Sequence, residues 1–153
     1  MDVASNGSVL LIGGSGVVDR RAARALRKLQ PEMSRWVADM LRRPVVKAYN
    51  NIWADDLLRR GRPRGAGDRI ALPIAGDDPK AKAKVMALTN ALGFDAVDAG
   101  GIDDSWRQQP GTPVYTANLD VAGTLRVLAE ARSERLPDLS GTPASPGSWT
   151  DPR

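Results

Sequence analysis

A three-layer α/β fold with a mainly parallel sheet of about four strands is predicted by three features of this 153-residue sequence. Short apolar runs of strand length alternate with longer stretches whose apolar residues recur at helical spacing. Glycine turns close both the first such run, at Gly13-Gly14-Ser15-Gly16, and the last, at Gly100-Gly101. Between the first run with its helix pattern and the second run at Val45 no further strand-like run intervenes, so an incomplete sheet is one expectation.

Composition narrows the chemistry before any motif is considered. With 42% apolar residues the chain can bury one core, expected as a single domain over residues 1–136 with a joint near 34–44. Residues 137–153, rich in Pro, Gly, Ser and Thr, are expected to be a disordered tail. The sequence holds no apolar run of membrane-spanning length and no charged-then-apolar leader pattern, so a soluble cytoplasmic protein is expected, with no membrane partner. It contains no cysteine and no histidine. Disulfides, thiolate catalysis and the common zinc ligand sets are thereby excluded, and proton chemistry would fall to carboxylates, Lys, Tyr, water or a cofactor. Of the 22 Lys and Arg, 14 lie in residues 1–72, a basic half suited to phosphates or to a solvated surface.

Taken in order, Val9–Ile12 is the first strand. From Val17 the positions Val18, Ala22, Ala25, Leu26 and Leu29 form an apolar stripe, with Arg20, Arg21, Arg24 and Arg27 outward. Pro31 interrupts this helix, and Met33, Trp36, Val37, Met40 and Leu41 make a second stripe that ends before Pro44. Val45–Asn50 is the second strand, and Ile52–Arg60 a short helix carrying Trp53, Leu57 and Leu58. Trp36 and Trp53 are expected in the core. Ile70–Ala75 is the third strand, where Pro73 argues for an edge or a bulge. Asp77 or Asp78 caps the next helix ahead of Pro79, Val85, Met86, Leu88 and Leu92 line its buried side, and Gly93 closes it. Phe94–Ala99 is the fourth strand, Ile102–Tyr115 a loop, and 118–135 a last helix with Leu119, Ala122, Leu125 and Leu128 inward.

Among functional candidates, Gly13, Gly14, Ser15 and Gly16 follow a strand and precede a helix. There the backbone can bend tightly against a pyrophosphate whose charge sits on free N–H groups. A plain tight turn is the alternative, and Asp19, at the third glycine position, weakens the phosphate reading because its charge would compete for the same helix end. Arg20 could approach a 2′-phosphate. Asp39 has the separation of a ribose-binding acid but lies in a helical pattern. Arg59-Arg60-Gly61-Arg62-Pro63-Arg64-Gly65 resembles a minor-groove hook for A·T-rich DNA, although a solvated loop between packed elements is the favoured reading. Asp103-Asp104 is expected to be solvated, with no metal site.

From Pro44 to about Ala131 the chain resembles the coenzyme F420-dependent NADP oxidoreductase family. The matching residues are Val45-Val46-Lys47-Ala48-Tyr49-Asn50, Ala75-Gly76-Asp77-Asp78, Asp98-Ala99-Gly100-Gly101 and Ser105-Trp106-Arg107 through Pro110-Gly111-Thr112-Pro113-Val114-Tyr115. Val9–Met33 is similar to the opening of saccharopine dehydrogenase-like Rossmann proteins. The resemblance implies a Rossmann-like domain, NADP(H) as cofactor and a deazaflavin such as coenzyme F420, or a related small molecule, as hydride acceptor. It also implies Asn50 on the nicotinamide side and Gly100, Gly101, Trp106 and Arg107 on the substrate side. No catalytic acid or base is required, because the cofactors carry hydride chemistry. A homodimer, a non-catalytic interaction module and a basic nucleic-acid-associated protein are the further possibilities weighed.

Overall fold

The computed structural model describes Val9–Ile12 as backbone, residues 33–109 and residues 111–132. Gly13, Gly14, Ser15, Gly16, Asp19 and Arg20, the arginine-rich helix pattern and the Pro-rich tail lie outside the described residues. Four strands stand in the order β1 (Val9–Ile12), β2 (Val45–Ala48), β3 (Ala71–Gly76) and β4 (Asp95–Asp98). The helices are α1 (Met33–Leu41), α2 (Ala54–Arg59), α3 (Pro79–Ala91) and α4 (Val121–Glu130), with a 3-10 segment at Ile102–Gln108.

β2, β3 and β4 make a mixed sheet, to which β1 is added at the β2 edge. β1 runs parallel to β2 with Ile12 opposite Ala48, and β3 parallel to β4 with Ile74 opposite Asp98. β2 and β3 are antiparallel, with Val46 opposite Gly76. The expectation of a mainly parallel sheet is therefore corrected at its central ladder. A parallel return needs a crossover helix packed on the sheet, and α2, six residues long, buries none of its residues. The β3–α3–β4 unit, by contrast, is a strand–helix–strand crossover of the kind from which dinucleotide-binding sheets are built.

β3 is interior, so Pro73 does not mark an edge. The ladder to β2 includes only Ala75 and Gly76. Ala71 N–H donates away from β4, to Leu119 O at 2.7 Å, and Pro73, two residues on, shares that direction. The missing donor therefore faces a stretch where no ladder bond is required.

Side-chain alternation along β3 divides the core into two. Leu72 and Ile74 pack with Val46, Ala48, Ile52, Ala81 and Phe94 beneath α3, while Ala71 and Ala75 pack with Val97, Val114, Val127 and Leu128 beneath α4. Helices thus cover both faces. α3 starts as expected: Asp78 accepts from Lys80 N–H at 2.8 Å and Ala81 N–H at 3.1 Å, Pro79 follows, and Gly93 ends the turn at φ +93°.

Four helices differ from expectation in what they bury. α1 exposes Trp36, Met40 and Leu41 and buries Ser34, because it is docked by ion pairs from Arg35 rather than by an apolar stripe. Trp53 is likewise exposed, at the start of the unburied α2. α3 turns Ala81 and Thr89 inward, with Thr89 hydrogen-bonded to the Tyr49 hydroxyl at 2.8 Å, and leaves Leu88 and Leu92 exposed. α4 begins only after its Asp120 cap, and this phase buries Thr124, Val127 and Leu128 in place of Ala122 and Leu125.

Candidate functional site

Two ends of the sheet carry polar chemistry. At the carboxyl ends of β3 and β4, the Gly100-Gly101 turn is held by carboxylates. Asp98 accepts from Gly100 N–H at 2.9 Å, Asp104 from Gly101 N–H at 3.1 Å, and Asp77 from Ile102 N–H at 2.9 Å. Gly100, at φ +92°, has the Asp104 carboxylate where a Cβ would stand. These three N–H groups are the natural donors for an anion, and all are engaged by acidic side chains. Burial raises the Asp98 pKa, but the Lys82 ammonium and the Gly100 N–H outweigh it and hold the carboxyl below its ordinary value.

Arg35 closes this end from α1. Its guanidinium donates to both oxygens of Asp103 at 2.7 and 2.9 Å and to Asp77 at 2.8 Å. The fork geometry suits a carboxylate pair; the hydrogen bond to Asp103 above all raises the Arg35 pKa, and Asp103 is held low in return. Beside it lies an open groove of about 670 Å³, lined by Asp39, Arg42, Arg43, Pro44 and Asp78 among others. Asp103 and Asp104 are thus engaged by Arg35 and, for Asp104, by Arg107 at 3.3 Å. Among the described residues no group of three His, Cys, Asp or Glu could hold a metal ion.

The other polar end is at the carboxyl terminus of β2. Tyr49 leaves the strand at φ +62°, a conformation that is costly for a bulky side chain, and Thr116 and Asn118 nearby have φ of +58° and +48°. Thr116 N–H donates to Asn51 O at 2.8 Å, joining the loop before α4 to this turn. The 3-10 segment lies across β2, where Lys47 Nζ donates to Ser105 O at 3.0 Å and Asn50 Nδ2 to Gln108 O at 2.6 Å. Asn118 Nδ2 donates to Asp56 at 2.6 Å.

A row of unmet amide groups gathers here. Asn50 Oδ1, Asn51 Oδ1, Gln108 Oε1 and Nε2, Gln109 Nε2 and Asn118 Oδ1 are buried and have no hydrogen-bond partner among the described residues. Gln108 is 0% exposed. An unmet buried polar atom costs about 1–3 kcal/mol, so six of them at one strand end form a strong demand for donors and acceptors from elsewhere.

The antiparallel ladder separates the candidates. Gly76 N–H donates to Gly100 O, which sets the glycine turn across β3 at the level of Val46, near the amino end of β2, whereas Asn50 lies beyond the carboxyl end of β2, two residues past Ala48. Asn50 and the Gly100-Gly101 turn therefore do not share a site. Ile12, the last described residue before the glycine stretch, stands opposite Ala48, at Asn50's end of the sheet. Trp106 and Arg107 stack on each other at 5.6 Å, on the 3-10 segment between the two ends. Lys47, Asn51, Gln108, Gln109 and Asn118 are the residues that sequence reasoning passed over. The only signal was a lysine amid Val45, Val46 and Ala48, where burial pushes its pKa down to about 8.

Fold and site define an α/β protein with a mixed sheet, one strand–helix–strand crossover and an amide-lined strand end. The chain is 38% identical over 104 residues to the protein YjhV of Escherichia coli (strain K12), covering 65% of this chain and 69% of YjhV, and it belongs to the same family as that protein. No family model matches it. Among solved structures it is similar to the hypothetical protein SMa0349 of Sinorhizobium meliloti, 25% identical with a TM-score of 0.57, over 73% of this chain and 54% of that one. A candidate F420-dependent NADP reductase of Arthrobacter sp. FB24 is 31% identical with a TM-score of 0.41, over 48% of this chain and 33% of that one. The chain thus spans about half and a third of those two solved chains. No helix of the described residues is long and apolar enough to cross a membrane.

Proposed function

We propose that the chain is an oxidoreductase-type dinucleotide-binding protein that holds NADP(H) for hydride exchange with a deazaflavin or related acceptor, and that the β2 carboxyl end is its reaction end. The observation that carries this reading is the row of buried, unmet amides at Asn50, Asn51, Gln108, Gln109 and Asn118. Asn50 ends Val45–Asn50, one of the stretches that resemble the F420-dependent NADP oxidoreductases. A primary carboxamide needs one acceptor and one donor, and Asn50 Oδ1 and Gln108 Nε2 supply such a pair. NADP(H), when bound, supplies the hydride itself. The chain's own residues orient the ring and exclude water, which requires neither histidine nor cysteine. Gly13, Gly14, Ser15, Gly16 and Arg20 complete the reading as the pyrophosphate and 2′-phosphate end.

The test is titration of the purified full chain with NADPH, followed by thermal shift and tryptophan fluorescence. Saturable binding with a raised Tm is expected, and no shift at millimolar cofactor would overturn the reading. A second reading, an interaction module without turnover that associates through its helices, is favoured by the exposed Trp36, Met40 and Leu41 of α1. The nucleic-acid reading is disfavoured, since Arg59 pairs with Asp55 at 2.6 Å and Arg62 with Asp68 at 2.9 Å.

A further inference from the structure

Lys47 sits in β2 between Leu11 of β1 and Ala75 of β3, 6% exposed. It interrupts a run of fully buried apolar residues, and among the described residues its ammonium has no ion-pair partner. A strand selected for burial alone would carry valine or leucine here. A buried cation without a counter-charge opposes folding, so its presence at this position calls for a role other than stability.

We infer that Lys47 is the positioning residue that sets the amide row by bracing the 3-10 segment on β2, an inference that rests on reading that strand end as a ligand site. Lys47 of β2 and Asn50, which follows the left-handed turn at Tyr49, take two carbonyls three residues apart, those of Ser105 and Gln108. A 3-10 helix has three residues per turn, so Ile102, Ser105 and Gln108 stack on one face, and all three are buried. One brace meets the middle of the segment at Ser105 and the other its carbonyl-bearing C-terminal end at Gln108. Charged side chains of α1 and of the 3-10 segment are paired with one another: Arg35 with Asp103, and Asp104 with Arg107. Burial lowers the Lys47 pKa, in keeping with an ammonium held by a backbone dipole alone. Removing it leaves, among the described residues, the Asn50 side chain as the hydrogen-bonding link from the β2 end to Gln108.

The experiment uses the full chain with Trp106, which lies next to Ser105, as the sole tryptophan after Trp36→Phe, Trp53→Phe and Trp149→Phe. Lys47→Met and Lys47→Gln are compared with this parent by Tm, by Trp106 emission without ligand, and by NADPH titration. Lys47→Met is expected to raise Tm, to red-shift Trp106 emission and to weaken NADPH binding at least tenfold, and Lys47→Gln, which keeps a donor, to recover part of both losses. A residue with a merely structural role would lower Tm and affinity together, and that outcome, or an unchanged Trp106 spectrum in Lys47→Met, would overturn the inference. If the parent itself binds no NADPH, the functional reading fails, while Tm and Trp106 emission still decide whether Lys47 braces the segment.

Discussion

Gln108 has a fully buried side chain and a motif-bearing neighbourhood, yet neither end of its amide is met within the described residues. Leucine has nearly its volume and no polar atoms. Gln108→Leu is therefore expected to stabilise the ligand-free protein by about 1–3 kcal/mol in urea unfolding, since two unmet groups vanish. The same variant should lose at least tenfold in NADPH affinity. Lys47 carries a pH signature of its own. Its pKa is about 8 in the folded chain against an ordinary 10.5, so between those values the unfolded chain holds the proton and the folded chain does not. Stability should therefore rise with pH from about 8 to 10.5, by at most about 3 kcal/mol, and be insensitive to this group below 8. Subtracting the unfolding curves of Lys47→Met, which lacks the group, isolates that slope; a flat difference would contradict the buried ammonium. Asn50 was legible because its strand has a recognisable pattern. Gln108, Gln109 and Asn118 were not, because amide side chains in a loop carry no periodicity that would mark them as buried.

Elements defined by local chemistry were the legible ones. Asp78, Pro79 and Gly93 bracket α3 because capping and a left-handed closing residue are properties of a few neighbouring positions. Asp78→Ala removes both acceptor bonds to the first turn. A cost of about 1 kcal/mol is expected, seen as a fall in Tm of about 2–4 °C, and an unchanged Tm would show the cap to be idle. What was illegible depended on partners distant in sequence. Trp36 is exposed because Arg35, its neighbour, binds Asp77 and Asp103 and fixes the face that α1 presents. The phase of α4 is set by Asp120 bonding Gly123 N–H at 2.7 Å, which starts the helix later than its apolar pattern suggested. The 3-10 segment was expected as loop, since a single buried stripe of Ile102, Ser105 and Gln108 mixes apolar with polar residues.

At the scale of the molecule, one antiparallel ladder decides which residues can act together. Had β2 and β3 run parallel, Asn50 and the Gly100-Gly101 turn would share a sheet end, as the alternation of strands and helices suggested. With Val46 opposite Gly76, the glycine turn stands at the level of the amino end of β2 and Asn50 beyond its carboxyl end. The two ends also differ in kind. Carboxylates and Arg35 satisfy one another around Gly100, whereas the amides around Asn50 await partners. Substitutions at the two ends should then separate in their effects. Asp104→Asn weakens the hold on the Gly101 N–H and the pair with Arg107, and it should lower Tm while leaving the NADPH Kd within about twofold. Asn50→Leu removes an unmet acceptor together with the Gln108 tether, and it should change Kd at least tenfold. Equal loss of affinity at both ends would mean that a ligand spans the sheet or that β2 and β3 pair differently in the ligand-bound chain. Backbone hydrogen exchange distinguishes these outcomes, because an antiparallel β2–β3 pairing protects Lys47 and Ala75 together.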